Sequence, residues 1–240
     1  MTTLARLTWR MATAALLLAS ASWAASPDGL VAEDLAALQW REVGTAMSSG
    51  RVARLAVHPT DPRIIYAATA SSGLWKTVNG GTTWAPIFEH QSSVSMGAVT
   101  LDPNDPETIW VGTGEQNNVR SSQYGDGVYR SRDGGKSWEH MGLKDSRHVG
   151  RILVHPKDSS TVYVAALGSL WGPSEDRGLY RTRDGGKSWT RLLRPSQFTG
   201  VVEVAMHPRN PDILYAATFQ RERRQWSMIG GGPEGGLWRS

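Results

Sequence analysis

The stretches "RSRDGGKSW" (130–138) and "RTRDGGKSW" (181–189) are nearly identical and lie 51 residues apart. A looser version of the same pattern, "KTVNGGTTW", occupies 76–84. A catalytic motif is normally needed once per chain, whereas a stretch that returns at a fixed interval usually does the same structural job in successive copies of a unit. The recurrence therefore predicts a repeat protein.

Each copy has a second landmark upstream. The four versions are "LAVHPTDPRIIYAAT" (55–69), "VTLDPNDPETIWVGT" (99–113), "ILVHPKDSSTVYVAA" (152–166) and "VAMHPRNPDILYAAT" (204–218). These runs are rich in β-branched and aromatic residues and are divided by Pro, Asp and Asn, which is typical of short strands joined by turns. A unit of about fifty residues with strands of this kind matches a propeller blade. The His or Asp that ends the first strand of each unit is expected to have a structural role in the following turn.

The sequence thus predicts an all-β propeller with four-stranded blades at 45–92, 93–143, 144–194 and 195–240. The last blade is expected to be incomplete, so the chain would hold about three and a half blades of a partial propeller. Because a closed ring needs roughly four blades or more, we expect the rest of the propeller to lie C-terminal to Ser240.

The repeated nine-residue stretch is expected to form the hairpin turn between the third and fourth strands. An Asp or Asn accepts hydrogen bonds from turn N–H groups, a Gly adopts positive φ, and the Trp packs beneath the turn. The residues with this predicted structural role are Asn79, Gly81, Trp84, Asp133, Gly135, Trp138, Asp184, Gly186 and Trp189. The pattern resembles the Asp-box, or bacterial neuraminidase repeat, and three copies in register carry that resemblance.

The first 24 residues have the order of a signal peptide: Arg6 and Arg10, then a short apolar stretch, then small residues around Ala24. We therefore predict a signal peptide at 1–24, a linker at 25–37 and the partial propeller at 38–240. Within it, "LQWREVG" (38–44) is expected to be a fourth strand without a blade before it. Export to the periplasm or the extracellular space follows, with no membrane span after signal removal. The chain has no Cys, so a hydrophobic core must supply its stability.

Composition and motifs narrow the function classes. The formal net charge of +4 gives no support for nucleic-acid binding. No phosphate loop, zinc spacing or nucleophile elbow is present, so we expect no cofactor and no metal site. Asp133 and Asp184 resemble paired carboxylates, but their place in the repeated stretch favours turn chemistry over acid–base catalysis.

Ligand binding is expected in the connections that vary between units, at 114–126, 145–150, 168–177 and 220–235, because variable loops on a rigid scaffold usually carry binding. Their carboxylates, guanidinium groups and tryptophans suit a peptide or glycan ligand. Two alternatives stay open: Glu115 braces its loop through Asn117 or Asn118, and the arginine run 221–224 is a solvated loop. The candidate binding residues are Glu115, Asn117, Asn118, Arg120, Tyr124, Arg147, His148, Trp171, Asp176, Arg177, Arg223, Arg224 and Trp226.

The Asp-box occurs in several protein families, so the resemblance leaves more than one of them open. Sialidases carry an early Arg in a Phe/Tyr-Arg-Ile-Pro context that this sequence lacks. Xyloglucanase-type glycosidases resemble the first unit but place a catalytic Asp in a "T-D-x-G" loop, where this chain has "TASSG" (69–73). The segments "YAATASSGLWKTVNGGTTW" and "GTGEQNNVRSSQYGDGVYRS" resemble large exported bacterial proteins with sortilin-like propellers.

Two functions follow from these observations. The favoured hypothesis is a non-catalytic binding scaffold for a peptide or glycan. The alternative is a glycoside hydrolase, xyloglucanase- or sialidase-like, with part of its active site beyond Ser240 and Glu115 as the candidate acid in this chain, because glycosidases need two carboxylates that flank the bond.

Overall fold

The computed structural model describes residues 50–240. The predicted signal peptide (1–24), the linker (25–37) and the strand at 38–44 lie outside the described residues. No helix in the described part of the chain is long and apolar enough to cross a membrane. The described strands are β1 Val52–Val57, β2 Ile65–Thr69, β3 Leu74–Thr77, β4 Ala85–Pro86, β5 Met96–Leu101, β6 Ile109–Thr113, β7 Val128–Ser131, β8 Glu139–His140, β9 Val149–His155, β10 Asp158–Ala166, β11 Gly178–Thr182, β12 Thr190–Leu193, β13 Thr199–His207, β14 Asn210–Arg223, β15 Met228–Gly230 and β16 Gly236–Arg239.

The strands form four antiparallel sheets that follow one another along the chain. Their orders are β1-β2-β3-β4, β5-β6-β7-β8 and β9-β10-β11-β12, and in the fourth sheet β13 pairs with β14. The only described helix is a single 3-10 turn at Lys144–Ser146. The prediction of an all-β chain built from four-stranded units is confirmed.

The fourth sheet departs from the pattern of the other three. Its long strand β14 pairs with β16 through Tyr215–Thr218 and with β15 through Arg221–Arg223. β15 therefore extends β14 into a hairpin beyond the sheet, and β16 takes the place of a third strand. The fourth sheet thus has the first three strands of a unit plus this extra hairpin.

The core lies between successive sheets, where the alternating apolar residues of neighbouring sheets meet. Phe88 of the first unit packs with Val111 and Tyr129 of the second, and Trp110 of the second sheet packs with Ile152 and Val164 of the third. Trp110 is 1% exposed. Burying apolar side chains of this size contributes roughly 2–3 kcal/mol each, so sheet-on-sheet contacts supply the stability that disulfides do not.

In each unit, the side chain of the residue at the end of the first strand accepts a hydrogen bond from the backbone of the following turn. His58 Nδ1 accepts from the N–H of Asp61 (3.2 Å), and His155 Nδ1 accepts from the N–H of Lys157 (3.2 Å). Asp102 does the same for Asn104 N (2.8 Å). The recurring His and its Asp substitute therefore share one turn-forming role.

The repeated stretches form the expected hairpin turns. Asp133 Oδ1 accepts from the N–H groups of Lys136 (3.0 Å) and Ser137 (2.9 Å). Asp184 makes the equivalent bond to Ser188 N (2.9 Å). Gly135 has φ of 93°, a conformation that favours glycine.

Two of the three turn tryptophans form hydrogen bonds outside their own turn, which the sequence did not predict. Trp138 Nε1 donates to the carbonyl of Ile87 (2.7 Å), and Trp189 Nε1 donates to the carbonyl of Met141 (2.7 Å). Each indole thus bonds the preceding unit. Trp84 instead donates to Gly81 O in its own turn (3.1 Å). The motif therefore joins neighbouring sheets as well as shaping a turn.

The first strands of the units lie against one another, and charged side chains connect them. Arg54 of β1 donates to Glu203 Oε2 of β13 (2.9 Å) and to the carbonyl of Gly150 in β9 (3.3 Å). Arg151 Nε of β9 lies 3.2 Å from Glu203 Oε1. Residues of the first, third and fourth sheets therefore meet in one ionic contact.

Candidate functional site

The four variable loops contact one another at one end of the sheets. His148 Nδ1 donates to the carbonyl of Glu115 (2.7 Å), and Arg221 Nη1 donates to the carbonyl of Gln116 (2.6 Å). Arg177 Nη2 donates to the carbonyl of Arg221 (3.3 Å). The structure thus brings together the loops at 114–126, 145–150, 168–177 and 220–235 through buried polar groups.

Glu115 lies inside this assembly. Its carboxylate is fully buried and accepts from Arg51 Nε (2.7 Å) and Arg51 Nη2 (2.5 Å). Asn117 Nδ2 donates to the same carboxylate (2.6 Å). Glu115 therefore braces its loop through Asn117, and its oxygens are already occupied. Arg51 was not among the predicted residues, and no sequence signal links it to a partner 64 positions away.

Two more candidates are buried and serve the loops. Arg177 donates to the carbonyls of Leu167 (2.7 Å), Ser169 (2.6 Å) and Gly172 (3.1 Å), and burial lowers its pKa to about 10. His148 is fully buried, and burial together with the charge of Arg221 lowers its pKa to about 3. At neutral pH the His148 imidazole is therefore uncharged.

The β14–β15 hairpin lies along the 114–126 loop. Arg120 Nη2 donates to the carbonyl of Gln225 (3.0 Å), and Asn118 Nδ2 donates to that of Ile229 (3.1 Å). Arg223 Nη1 donates to the carbonyl of Asn118 (3.3 Å). These bonds fix the hairpin against a neighbouring unit.

The arginine run of this hairpin is only partly solvated. Arg221 is fully buried, and Arg224 is the exposed member, with its Nε 2.5 Å from Glu222 Oε1. The exposed apolar side chains on this side of the molecule include two tryptophans, together with Met228 and Ile229 of the hairpin. Trp226 is 78% exposed, and Trp171 in the 168–177 loop is 41% exposed. Arg223 N donates to the carbonyl of Leu170 (2.8 Å), so the two loops that carry these indoles are directly joined.

A cleft of about 410 Å³ opens between the loops of the second and third units. Tyr124 forms one wall, and its hydroxyl lies 3.0 Å from Ser169 Oγ. The Arg147 guanidinium lies 5.2 Å from the centre of the Tyr124 ring. The lining residues are Tyr124, Asp145, Arg147, Ser169, Pro173, Ser174, Glu175 and Asp176.

The charged groups of the cleft are held in unusual environments. Arg147 has φ of 59°, a rare conformation for a residue with a side chain. Burial, and then the nearby charge of Asp145, raise the pKa of Asp176 above its ordinary value. Half-buried carboxylates with a raised pKa in a cleft are typical of ligand sites. Among residues 50–240, no three His, Asp or Glu side chains are grouped as a metal site would require.

Comparison with known proteins connects this architecture with two groups. A family model described as "Sortilin, neurotensin receptor 3" matches residues 126–229. A xyloglucanase from Paenibacillus sp is 26% identical over 195 residues, which cover 76% of this chain and 18% of that protein. A xyloglucanase from Hypocrea jecorina is 26% identical over 185 residues, covering 71% of this chain and 21% of that protein.

Solved structures agree on the fold. An ancestral GH74 enzyme superposes with a TM-score of 0.56 at 23% identity, over 71% of this chain and 22% of its own. The Niastella koreensis GH74 enzyme gives a TM-score of 0.53 at 23% identity, over 78% of this chain and 29% of its own. The chain spans about a fifth of the length of the curated relatives. The predicted partial propeller fold is confirmed, and the chain is similar in sequence to a sortilin-type family model and to xyloglucanases.

Proposed function

We propose that the protein acts on a polysaccharide of the xyloglucan class as a glycoside hydrolase, and that residues 50–240 supply part of its glycan-binding surface. The observation that carries this proposal is the match of 76% of the chain to a curated xyloglucanase. It favours the hydrolase hypothesis over the non-catalytic scaffold that the sequence had favoured.

The loop side of the molecule supports a glycan ligand. Trp171, Trp226 and the wall residue Tyr124 present exposed aromatic rings among polar groups. Sugar rings present apolar faces that pack on aromatic rings, while their hydroxyl groups need hydrogen-bond partners. Because buried hydrogen bonds already join the loops, little conformational entropy is lost when a ligand binds.

The catalytic carboxylates are assigned to parts of the protein outside this loop surface. Glu115 is buried and its oxygens are occupied by Arg51 and Asn117, so it cannot reach a glycosidic oxygen. The stretch at 69–73 has no acid either. A glycosidase needs two carboxylates on either side of the scissile bond.

A non-catalytic scaffold for a peptide or glycan is the second candidate. The lack of an acid at 69–73 favours it. The two candidates differ in one measurement, because a scaffold binds a polysaccharide without releasing new reducing ends.

The test uses the protein as its gene encodes it. Incubation with xyloglucan, cellulose, chitin and peptide substrates should release reducing ends from xyloglucan. Trp171→Ala and Trp226→Ala should each weaken xyloglucan binding by about 3–10-fold, the amount expected for one stacked ring. Trp84→Ala is the matched control, since Trp84 is a partly exposed tryptophan in a repeated turn. Absence of binding to every glycan, or equal losses in all three variants, would refute the proposal.

Export is a separate proposal, supported by the basic, apolar and small-residue order of residues 1–24. Mass spectrometry of the secreted or periplasmic protein should give an N-terminus near Ala25. A mature cytoplasmic protein that retains Met1 would contradict it.

A further inference from the structure

Two arginines lie fully buried where the variable loops meet, and neither forms an ion pair within residues 50–240. Arg177 donates to backbone carbonyls, among them that of Arg221 (3.3 Å), and Arg221 Nη1 donates to the carbonyl of Gln116 (2.6 Å). A carbonyl group satisfies an N–H donor but does not neutralise the charge of the guanidinium. The loop assembly therefore encloses two positive charges.

The carboxylates whose charges act on these two arginines are bound to other arginines. Glu115 accepts from Arg51 Nε (2.7 Å) and Arg51 Nη2 (2.5 Å). Glu222 Oε1 lies 2.5 Å from Arg224 Nε. These pairings leave the two buried arginines without a counter-charge of their own in the described part of the chain.

Arg221 also has hydrogen-bond donors without an acceptor. Its Nε and Nη2 are shielded from solvent and have no partner within residues 50–240. Several other arginines leave Nε without a partner, but among the described residues Arg221 is the one whose Nη2 is unpartnered as well. In native proteins, buried donors of this kind are usually satisfied by protein groups, ordered water or an ion.

The two unpartnered nitrogens of Arg221 form one edge of its guanidinium, and their N–H bonds point in nearly the same direction. Arg51 uses this same edge to hold the carboxylate of Glu115. The corresponding edge of Arg221 is therefore shaped to bind an anion through two parallel hydrogen bonds.

The charge at this position also favours an anion. Burial, and then the charge of Arg177, lower the pKa of Arg221 to about 9, which still leaves Arg221 charged at neutral pH. An anion at the Arg221 edge would reduce both the repulsion between the two guanidinium groups and the cost of burying them.

We propose that a chloride ion binds at the Nε–Nη2 edge of Arg221 and fastens the 220–235 loop to the 168–177 loop. The edge is closed to solvent, which suits a monatomic anion better than a bulky carboxylate or phosphate. Arg177 of the second loop supplies part of the positive charge, and Trp171 and Trp226 lie on the two loops that the ion joins. The ion stabilises the loops and takes no part in bond cleavage, so this site is independent of the proposed glycoside hydrolysis.

The first test is the thermal unfolding of the protein as its gene encodes it, at constant ionic strength, with sodium chloride replaced stepwise by sodium gluconate. An ion that binds the folded state stabilises that state by mass action. Chloride at about ten times its Kd should therefore raise Tm by about 2–4 °C relative to gluconate. The constant ionic strength separates binding at a site from general charge screening.

Variants assign the chloride effect to the Arg221 edge. Arg221→Lys keeps a positive charge but removes the paired N–H groups, so its Tm should no longer depend on chloride. Arg120→Lys is the matched control, because Arg120 is an exposed loop arginine that also donates to a backbone carbonyl. Its Tm should show the full dependence on chloride.

Anomalous diffraction from bromide is a second test, and it needs no variant that folds. Crystals of the wild-type protein soaked in bromide should show an anomalous peak at the Nε–Nη2 edge of Arg221. A peak without a chloride-dependent Tm would indicate an adventitious ion only, and it would overturn the inference.

Each remaining outcome also has one meaning. Equal Tm values in chloride and gluconate overturn the inference, and so does a chloride dependence that survives in Arg221→Lys. Absence of a bromide peak at Arg221 overturns it as well and leaves water at this edge. None of these measurements involves a glycan, so their failure leaves the proposed glycoside hydrolase function standing.

Discussion

At the scale of single residues, the ion pair between Arg51 and Glu115 connects the start of the first sheet to the 114–126 loop. The Arg51 side chain is 48% exposed while Glu115 is fully buried, so the two partners are unequal. Arg51→Ala leaves a buried carboxylate without its counter-charge. We expect a loss of about 2–3 kcal/mol in the free energy of unfolding. Arg63→Ala, which removes an exposed partner of Asp61, should change stability little. Equal small effects in urea unfolding would contradict this account.

The sequence alone does not show which arginines of the variable loops are buried and which are exposed to solvent. The variable loops were predicted from their variability, and the structure brings them together. The burial of Arg177 and Arg221 could not be predicted, because an arginine in a polar loop is usually solvated. Their burial depends on backbone carbonyls of loops distant in sequence, because Arg221 donates to the carbonyl of Gln116 and Arg177 donates to the carbonyl of Arg221. Tyr124 and Asp176 were identified as candidates, but the cleft between them needs the packing of two units.

At the scale of the element, the repeated hairpin turns depend on an ionised aspartate. Hydrogen bonds from Ser137, first its side chain and then its N–H, hold the pKa of Asp133 well below the ordinary 3.8. A depressed folded-state pKa gives stability that is present above the unfolded value and lost as pH falls. Asp133→Ala should lower Tm by about 2–4 °C at pH 7, and the difference from wild type should shrink below about pH 4. Glycan affinity of the folded variant should not change. A difference that grows on acidification would exclude this role.

The turn tryptophans give a second prediction for this element. Trp138→Phe keeps a ring but removes the bond to the carbonyl of Ile87 in the preceding unit. The expected loss is about 1 kcal/mol, the usual net value of one hydrogen bond. Trp84→Phe should cost less, because the Trp84 indole bonds only its own exposed turn. Chemical denaturation of both variants provides the comparison, and a larger loss in Trp84→Phe would contradict the role in joining units.

The repeat made these elements predictable. Three copies of one turn predict strands on both sides of it, and the sheets lie where the landmarks recur. The β14–β15 hairpin was not predicted, because it occurs once and its residues at 220–235 read as an irregular loop. The role of Trp138 across units was missed for a related reason, since periodicity within a unit does not show which neighbour a side chain contacts.

At the scale of the whole molecule, Glu203 of the fourth sheet connects to the first sheet through Arg54 and to the neighbouring third sheet through Arg151. Glu203→Gln leaves Arg54 and Arg151 without their shared anion. We expect a loss of about 1 kcal/mol that diminishes at high salt, because these groups are partly exposed. Glu175→Gln, which affects one exposed ion pair, is the control. A loss independent of salt would show that packing, and not charge, is responsible.

The bond from Arg54 to Glu203 also has a mechanical consequence. It joins the first sheet directly to the fourth, although the second and third sheets lie between them along the chain. Tension that draws these two sheets apart loads this ionic contact, whereas each contact between adjacent sheets is shared among many side chains. In a force-spectroscopy experiment, the Arg54–Glu203 ion pair should rupture first and at low force, and the sheets should then separate one by one.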